Sequence, residues 1–385
     1  IQGTVKDITG AVMVGVSVVV TNVQTGVTYT AASNEAGEYL APYLLPGEYT
    51  VRAEAPGFKR FVRAGITLQM EQKARIDIEM AVGSNTETVE VVAAAPLLQS
   101  EQVALGQVVN LMQVRDLPLQ GVGRNPLSLA SLVPGVFDQQ GAAFASIGGG
   151  RAAASTVLLD GVGNTHMNAI HTPSVDAVQE FKVLTHAFSA EYGRMGGGVV
   201  SLSIKSGTNQ FHGNLFEFFR NDVLNARDFF SLPGSRKPAL RYNEFGGTLG
   251  GPVLKNRLFF FTSYQGVRQR MPGTSVNTVP TVLQSQGIFT EGNQPRIYDP
   301  ATTRPDPANP SRTLRDEFAG KRVPASRIDA PAARLMQLFP APNVDRGSDY
   351  FQHPNPVEEH DWKTGTARVD YTFSSSNRAF VRYSE

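Results

Sequence analysis

Histidine and acidic side chains are the residues of this 385-residue chain whose types could bind a metal ion. His166 and His171 are five positions apart, and His186 follows them. Zinc ligands on a helix prefer a spacing of four together with a carboxylate, so this spacing favours loop and surface histidines. A second set lies in a proline-rich segment and is interpreted in the same way: His353, His360 and Asp361.

A glycine-rich run and an acidic pair are two further motifs that could do chemistry. Residues 147–151 are Ile-Gly-Gly-Gly-Arg, which could imitate a phosphate-binding loop. The run lacks a Gly-Lys-Ser/Thr ending and a following helix, so it favours a flexible turn. Glu358 and Glu359 could act as catalytic carboxylates, although an acidic pair in a loop is usually solvated. With no nucleophile triad, metal-ligand cluster or nucleotide loop, the sequence predicts no enzyme and no bound cofactor or metal.

The composition favours strands and turns. The chain has 35 Lys+Arg and 34 Asp+Glu residues, so no broad basic field would attract nucleic acid. Hydrophobic residues reach 41%, which is too apolar for disorder, and 37 glycines with 24 prolines fit strands with many turns better than helices. Cysteine is absent, which excludes a disulfide framework and is compatible with export to the periplasm.

Membrane-spanning helices are not expected, because no run of about 18 apolar residues is present. Barrel strands alternate in polarity and escape hydropathy scans, so a β-barrel remains the possible membrane form. The chain begins at Ile1 without an initiator methionine or a signal peptide. We interpret this as a processed or incomplete start.

Residues 1–82 are predicted to form a small all-β domain. Side chains alternate with a period of two in three runs: residues 16–20, 49–54 and 75–80. Turn signals follow at residues 34–37, Asn-Glu-Ala-Gly, and at Pro46-Gly47, since glycine and asparagine tolerate positive φ. This pattern predicts a two-sheet sandwich.

The same residues resemble the carboxypeptidase regulatory-like domain. The motifs that carry the resemblance are Gly3-Thr4-Val5, Asp7, Gly10, the strand 16–20, Gly37-Glu38-Tyr39, Leu45-Pro46-Gly47-Glu48-Tyr49 and Gly57-Phe58. The resemblance implies a transthyretin-like sandwich without catalysis of its own. Because this module is attached to many proteins, it says little about function.

Residues 83–95 are predicted to be a linker. They include a short β-prone run, residues 86–94, between Gly83 and Pro96. The alternative is that this run is the last strand of the sandwich, followed by a linker.

Residues 96–208 are predicted to form a compact α+β unit of short helices and strands. A helix is expected over residues 108–117, closed by Pro118, and Asn125-Pro126 opens a second short apolar run over residues 127–133. Further apolar runs follow at residues 156–159, which lead into a tight turn at Asp160-Gly161, at 175–184 and at 199–204.

From residue 209 to 385 the pattern changes to long aromatic-rich runs: residues 211–220, 241–252, 258–268, 368–373 and 378–384. In 368–373 one face is Arg, Asp and Thr and the other is Val, Tyr and Phe, which is typical of a membrane-barrel strand. Phe380 interrupts the polar face of the last run. Phe259, Phe260 and Phe261 are consecutive, and a soluble sheet buried on both faces could give the same run.

The segment of about 270–360 is predicted to be one long extracellular loop of the barrel, functional or with local structure of its own. About five candidate strands follow residue 209, whereas a closed barrel takes at least about 8 and plugged transporters about 22. We therefore expect the protein to continue beyond Glu385, because open strand edges in lipid would leave backbone groups unpaired.

The middle of the chain resembles the plug-to-barrel junction of the TonB-dependent outer-membrane receptors. The motifs are residues 160–164, 178–181, 191–194 and 205–213, with 220–222 and 225–227 after them. Together with the N-terminal domain, they make the chain similar to the Oar-like group. The implied fold is a transthyretin-like sandwich, a small α+β plug and the first strands of an incomplete transmembrane β-barrel.

The resemblance implies a site for the energy-coupling TonB-type protein in the linker. It would comprise Glu87, Thr88, Val89, Glu90, Val91 and Val92. An extended segment of this kind pairs its backbone with the edge of a partner's sheet, which places loose demands on sequence.

The resemblance also implies plug residues that contact substrate or control plug movement. Asp160-Gly161 lies at a plug turn, where turn chemistry is favoured over a substrate contact. Glu180, Glu191 and Arg194 would lie inside the barrel, and buried charges there would have to pair with Arg or Asp of the barrel wall.

The implied function is active passage of a bulky solute, such as a peptide, protein or oligosaccharide, across the bacterial outer membrane, with the sandwich in the periplasm. The implied partners are the coupling protein, outer-membrane lipid and that solute. The alternative is a surface or adhesive structural protein that uses the sandwich as an interaction module. An accessory domain of an enzyme is a third possibility.

Overall fold

The computed structural model describes residues 1–84, 88–92, 105–109, 124–137, 145–151, 154–166, 169–192, 196–226, 237, 239–291, 295–342, 350–375 and 377–385. These residues divide into two compact units. One comprises residues 1–219, 243–268 and 361–385, and the other comprises 220–242 and 269–360. Strands far outnumber helices, which confirms the predicted mainly β fold class. Across the described residues, we find no helix with the length and apolarity needed to cross a membrane.

The sandwich at the start of the first unit is built from eight described strands: β1 (Gln2–Asp7), β2 (Ser17–Asn22), β3 (Thr28–Ala32), β4 (Glu38–Leu40), β5 (Gly47–Glu54), β6 (Arg60–Leu68), β7 (Ile78–Met80) and β8 (Thr88–Val92). One sheet has the order β4-β1-β7 and the other has the order β3-β2-β5-β6-β8. Strands β1 and β7 pair in parallel, as do β6 and β8. Strand β2 is antiparallel to both β3 and β5.

The core of the sandwich follows from the period-two alternation in its strands. The inward side chains include Val16, Val18, Val20, Val51, Ala53, Ile76, Ile78 and Met80. Burying an aliphatic side chain of this size is worth about 1.5–3 kcal/mol, so the alternation decides which face turns inward. Gly3 is required by close approach, because a Cβ there would lie 1.9 Å from the backbone oxygen of Ile76.

The segment that resembles a plug, called the plug from here on, has nine described strands: β9 (Leu105–Val109), β10 (Val136–Phe137), β11 (Ser146–Ile147), β12 (Thr156–Leu159), β13 (Val162–Gly163), β14 (Thr165–His166), β15 (Ala169–Ile170), β16 (Val178–His186) and β17 (Val199–Ile204). Five of them form one sheet in the order β13-β12-β17-β16-β9. Strand β12 is parallel to β17, and β16 is antiparallel to β17 and β9.

Three short 3-10 helices accompany this sheet: Pro126–Leu132, Val175–Ala177 and Ala190–Tyr192. The first is the apolar run that Asn125-Pro126 was predicted to open. Asn125 caps it, because the Asn125 side-chain oxygen accepts a hydrogen bond of 2.9 Å from the Leu127 amide. The predicted strand over 156–159 is present, and the apolar runs 175–184 and 199–204 contain most of β16 and all of β17.

The predicted helix over residues 108–117 is wrong at its start. Val108 and Val109 end strand β9 and pair with Lys182 and Phe181 of β16. Val109 is buried in the plug core, so pairing with β16 and burial override the local helical pattern. Residues 110–117 lie outside the described residues.

Five long strands follow the plug and form one sheet, called the wall: β18 (His212–Asn221), β19 (Arg241–Leu254), β20 (Leu258–Thr278), β23 (Tyr350–Thr372) and β24 (Arg378–Ser384). The intervening strands β21 (Arg304–Asp306) and β22 (Asn309–Leu314) form a hairpin of their own. The order of the wall is β18-β19-β20-β23-β24, which matches the five strands expected from sequence.

The alternation of the wall strands places polar side chains toward the plug and apolar side chains outward. Arg368 and Asp370 are buried, whereas Val369 is 45% exposed and Val381 is 74% exposed. The consecutive phenylalanines depart from this polarity pattern, since the apolar side chains of Phe259 and Phe261 are buried on the inward face. Phe260, between them, is half-buried and packs beside Phe211 with ring centroids 6.3 Å apart. Phe261 joins the hydrophobic core of the plug, so plug and wall share apolar contacts as well as polar ones.

The second unit has local structure of its own. It contains the short helices α1 (Val282–Ser285) and α2 (Ala330–Met336), the β21-β22 hairpin, and 3-10 helices at Pro300–Thr302, Ala319–Lys321 and Ala325–Arg327. Arg304 donates two hydrogen bonds to Asp316, and Arg327 pairs with Asp299. Strands β20 and β23 also extend further into the predicted 270–360 loop than their apolar runs suggested, because backbone pairing does not require apolar side chains.

Candidate plug–wall interface

The turn between β12 and β13 is a two-residue hairpin made by Asp160 and Gly161. Their φ angles are 51° and 80°, and Leu159 pairs with Val162 on either side. Positive φ at both central positions is the type I′ geometry, for which Asp-Gly is a preferred sequence. The tight turn predicted at Asp160-Gly161 is therefore present in the structure. The turn also places the Asp160 side chain between the end of β17 and the wall.

The Asp160 carboxylate joins the plug to two wall strands. Its Oδ1 atom accepts hydrogen bonds from Arg368 Nη1 at 3.0 Å and from the Ile204 amide at 2.9 Å. The Nε atom of Arg382 lies 2.9 Å from Oδ2, an ion pair without hydrogen-bond alignment. The Asp160 side chain is only 6% exposed, so these charges interact with little screening by water.

Arg368 is the centre of this group. Its guanidinium makes a two-point contact with Asp370, at 2.9 and 2.8 Å, and Nη1 also donates to the Ile204 carbonyl at 3.0 Å. Phe380, the residue that interrupts the polar face of β24, lies under the guanidinium at 4.6 Å from the ring centroid. Two arginines and two aspartates therefore neutralise one another, which buried charges require.

A second buried ion cluster joins the plug to the wall around Arg124. Its Nη2 atom lies 2.5 Å from Asp176 of the plug, and its Nε atom donates to Glu244 of β19 at 2.9 Å. Gln265 donates to Glu244 at 2.8 Å, and Asn214 donates to Asp176 at 2.7 Å.

Two aromatic rings complete the cluster. The Arg124 guanidinium lies 3.8 Å from the ring centroid of Phe218 and 5.0 Å from that of Phe216. A planar guanidinium can stack on a ring while its edge donates hydrogen bonds, so this position suits arginine better than lysine. No sequence pattern pointed to Arg124, Asp176 or Glu244, because these residues lie far apart in the chain and meet only on folding.

Glu180 lies against the sandwich in this structure. Its Oε2 atom accepts a hydrogen bond of 2.6 Å from the amide of Met70, in the turn after β6. Burial raises the pKa of the Glu180 carboxyl, while the Met70 hydrogen bond and the nearby Lys182 ammonium oppose that rise. Glu191 is exposed in the 3-10 helix Ala190–Tyr192, and Arg194 lies outside the described residues. Asp160 is thus the predicted plug residue that the structure places against the wall.

The predicted partner-binding segment is the outer strand of a sandwich sheet. Thr88 to Val92 form β8, which runs parallel to β6 with Arg60 opposite Thr88 and Ala64 opposite Val92. The structure therefore agrees with the alternative interpretation of the predicted linker, in which its β-prone run is the last strand of the sandwich. Val89 is 38% exposed, and Glu87 lies outside the described residues.

Metal chemistry finds no support in the described part of the chain. No group of three or more His, Asp or Glu residues there is arranged to hold a metal ion. What the interface does offer is a set of paired charges and hydrogen bonds between the plug and the wall.

Comparison with known proteins defines two domains. Residues 203–385 match the family model described as outer membrane beta barrel domain, and residues 1–81 match the carboxypeptidase regulatory-like domain. The second half of the chain is therefore an outer-membrane β-barrel segment, and its N-terminal segment is a carboxypeptidase regulatory-like domain. The TonB-dependent transporter Oar of Myxococcus xanthus is 30% identical over 251 residues, which are 61% of this chain and 23% of that relative. By this homology the chain is similar to the Oar-like TonB-dependent receptors of the outer membrane.

Two solved structures align with parts of the chain. The open form of the ferric-catecholate import receptor Fiu from E. coli K12 has a TM-score of 0.34 at 15% identity, covering 74% of this chain and 38% of that one. FpvA of P. aeruginosa, bound to a heterologous pyoverdine, has a TM-score of 0.35 at 13% identity, covering 74% of this chain and 34% of that one. The chain spans well under half the length of each of these relatives.

Proposed function

We propose that this chain acts in an outer-membrane transporter that moves a bulky solute by energy-coupled movement of the plug. The observation that carries the proposal is the buried ion network in which Asp160 of the plug meets Arg368 and Arg382 of the wall. The homology with a transporter named as TonB-dependent supports a TonB-type coupling protein as the source of energy. No chemical step is proposed, and the chain has no role as an enzyme in this account.

The network suits a plug that must leave and return. A plug held by apolar surface alone would expose that surface on moving, at about 25 cal/mol per Å². Paired charges such as Asp160 and Arg368 can instead be hydrated when they separate, and they re-form one defined geometry on return. The same argument applies to Arg124 between Asp176 and Glu244.

The proposed partner is a TonB-type coupling protein in the periplasm, where the sandwich would also lie. It would add its sheet edge to residues 87–92, in the manner of strand addition. Val89 is the described side chain of that segment whose exposure supports access to a partner. The solute would be a peptide, a protein or an oligosaccharide.

Site-directed cysteine crosslinking tests this assignment, because the sequence has no cysteine to interfere. Val89→Cys should crosslink to a cysteine on the edge strand of the coupling protein in living cells. Leu40→Cys, also exposed but on β4 of the sandwich, is the matched control and should not crosslink. Equal crosslinking at both sites, or none at Val89, would contradict the proposed partner.

Cell fractionation separates the transporter from the alternative, a surface or adhesive structural protein. A transporter should leave the membrane fraction only with detergent, and its wall strands should resist added protease. Recovery in a soluble or fibrous fraction would favour the structural alternative.

A further inference from the structure

The turn that follows β6, residues Gln69–Gln72, has a shape fixed by its own hydrogen bonds. The Gln69 amide donates to the Gln72 side chain at 2.8 Å, and the Gln72 amide donates back to the Gln69 carbonyl at 3.2 Å. Glu71 at the tip has a φ of 56°, a conformation that costs a residue other than glycine about 1–2 kcal/mol. A turn that keeps such a tip residue is held in place by contacts outside itself.

Those contacts are on the plug sheet. The backbone of Met70 is bound on both sides by β16, since its amide donates to Glu180 at 2.6 Å and its carbonyl accepts from Lys182 Nζ at 3.0 Å. Glu180 and Lys182 are two residues apart on one strand, so they project from the same face. The two side chains therefore bind the backbone of one sandwich residue, Met70, from the plug.

Glu71 adds a second set of contacts with the plug. Its Oε1 atom accepts a hydrogen bond of 3.1 Å from Ser201 of β17, and its Oε2 atom lies 3.7 Å from Lys182 Nζ. The Lys182 side chain is 7% exposed, so its charge depends on Glu71 and the Met70 carbonyl for compensation. Burial lowers the pKa of this ammonium, and Glu71 and Glu180 counteract that effect.

The turn lies at the end of the strand that carries β8. Strand β6 runs directly into Gln69, and β8 pairs in parallel along β6 from Thr88 to Val92. A pull along β8 therefore loads the β6–β8 ladder in shear, with several backbone hydrogen bonds acting together. That load continues along β6 into the turn, and from the turn into β16 and β17 of the plug.

We propose that the sandwich is a mechanical coupler, in which the turn Gln69–Gln72 transmits tension from β8 to the plug through Met70 and Glu71. The inference rests on the proposed function for the source of the tension. Its structural part, the docking of the turn on Glu180, Lys182 and Ser201, is independent of any partner.

Hydrogen exchange of the detergent-solubilised protein tests the docking. Glu71→Ala should speed exchange of the amides of residues 69–72 about tenfold or more, because it leaves Lys182 with one fewer compensating partner. Glu79→Ala, an exposed glutamate on β7 of the same domain, should leave those rates unchanged. Ser201→Ala should give a smaller change of the same sign, without altering the sandwich. Unchanged exchange in both Glu71→Ala and Ser201→Ala overturns the docking.

Single-molecule pulling on the membrane-embedded protein tests the transmission of force. With a handle attached at Val92→Cys, the first rupture force should fall in Glu71→Ala and stay unchanged in Glu79→Ala. Equal rupture forces in the two variants overturn the coupler, even where Val89→Cys still crosslinks to the coupling protein. If Val89→Cys does not crosslink but Glu71→Ala still lowers the rupture force, the proposed partner is wrong and the coupler is supported.

Discussion

Asp160 and Arg368 are separated by 208 positions in the chain, yet the Asp160 carboxylate and the Arg368 guanidinium meet at 3.0 Å. The first is at the tip of a plug hairpin, and the second is on the inward face of a wall strand. The contact therefore links the two bodies that the proposed function requires to separate. Arg368 has a second carboxylate partner in Asp370, so it stays paired within the wall when the plug leaves.

Removing Arg368 should destabilise the seated plug strongly. Arg368→Ala leaves Asp160 and Asp370 buried beside one remaining guanidinium, and breaking a buried ion pair on one side typically costs about 3–5 kcal/mol. Chemical denaturation in detergent, followed by hydrogen exchange of strands β12 and β17, measures this loss. Arg257→Ala is the control, because Arg257 is an exposed wall residue beside Tyr371 and its loss should cost less than about 1 kcal/mol. Similar losses in both variants would contradict the account.

Asparagine and valine at position 160 should separate the turn from the ion pair. Asn tolerates the positive φ of 51°, so Asp160→Asn should keep the hairpin and lose about 1.5–3 kcal/mol from charged hydrogen bonds. Asp160→Val should lose about 1–2 kcal/mol more, since a β-branched residue is strained in this conformation. Exchange of the Ile204 amide, which donates to Asp160, reports the difference. An equal effect of Asn and Val would show that the turn geometry is irrelevant.

Lysine should not replace Arg124. Arg124→Lys retains the charge but loses either the contact with Glu244 or the stacking on Phe218, and we expect a loss of about 1–3 kcal/mol in plug stability. Arg268→Lys is the matched control, because Arg268 also lies over a ring, that of Phe245 at 5.8 Å, but is exposed. Denaturation midpoints of the two variants check this. Should Arg124→Lys match the wild type, the cluster does not hold the plug.

The Glu180 carboxyl should make stability depend on pH in a defined direction. Burial raises its pKa above the ordinary value of 4.5, so its contribution to stability is fully present below that value and is lost as pH rises through the folded-state pKa. Glu180→Gln keeps an acceptor for the Met70 amide and has no such loss. The free energy of unfolding of the variant should therefore rise relative to wild type as pH increases from about 4.5 through the folded-state pKa. A variant that becomes relatively weaker over that range would refute the assignment.

Plug release should respond to Asp160 and not to Glu191. Asp160 contacts the wall, whereas Glu191 is exposed in this structure. Glu191→Gln should leave solute uptake and plug release unchanged, while Asp160→Asn alters the denaturant concentration at which the plug leaves. A change in Glu191→Gln comparable with that in Asp160→Asn would restore Glu191 as a gating residue.

Sequence patterns predicted the local elements of this fold well, because those elements depend on neighbours in the chain. Residues 368–373 alternate, and their polar and apolar faces lie as expected. Asp160-Gly161 specifies its own turn, and Asn125 caps its own helix. The prediction of a helix beginning at residue 108 was wrong, because pairing with β16 determines the extended conformation of Val108 and Val109.

The interface itself was largely beyond sequence reasoning, since its partners meet only after folding. Arg124 and Glu244 are 120 positions apart, and no periodicity relates them. The alternation of β23 placed Arg368 and Asp370 on its inward face. Because a buried charge requires a neighbour of the opposite sign, this pattern indicated that both residues would be paired. The resemblance implied wall partners for Glu180, Glu191 and Arg194 as well. Among the described residues, Glu180 contacts Met70 and Asp160 contacts the wall.

The most direct test of the central claim measures whether the plug leaves the wall when energy is supplied. Ser206→Cys replaces a plug residue whose hydroxyl donates to Asp370 at 2.9 Å, so the introduced thiol reports separation of plug and wall. In living cells, a membrane-impermeant maleimide should label this thiol several times faster when the coupling protein is present than when its gene is deleted. Equal labelling rates in the two strains would contradict energy-coupled plug movement.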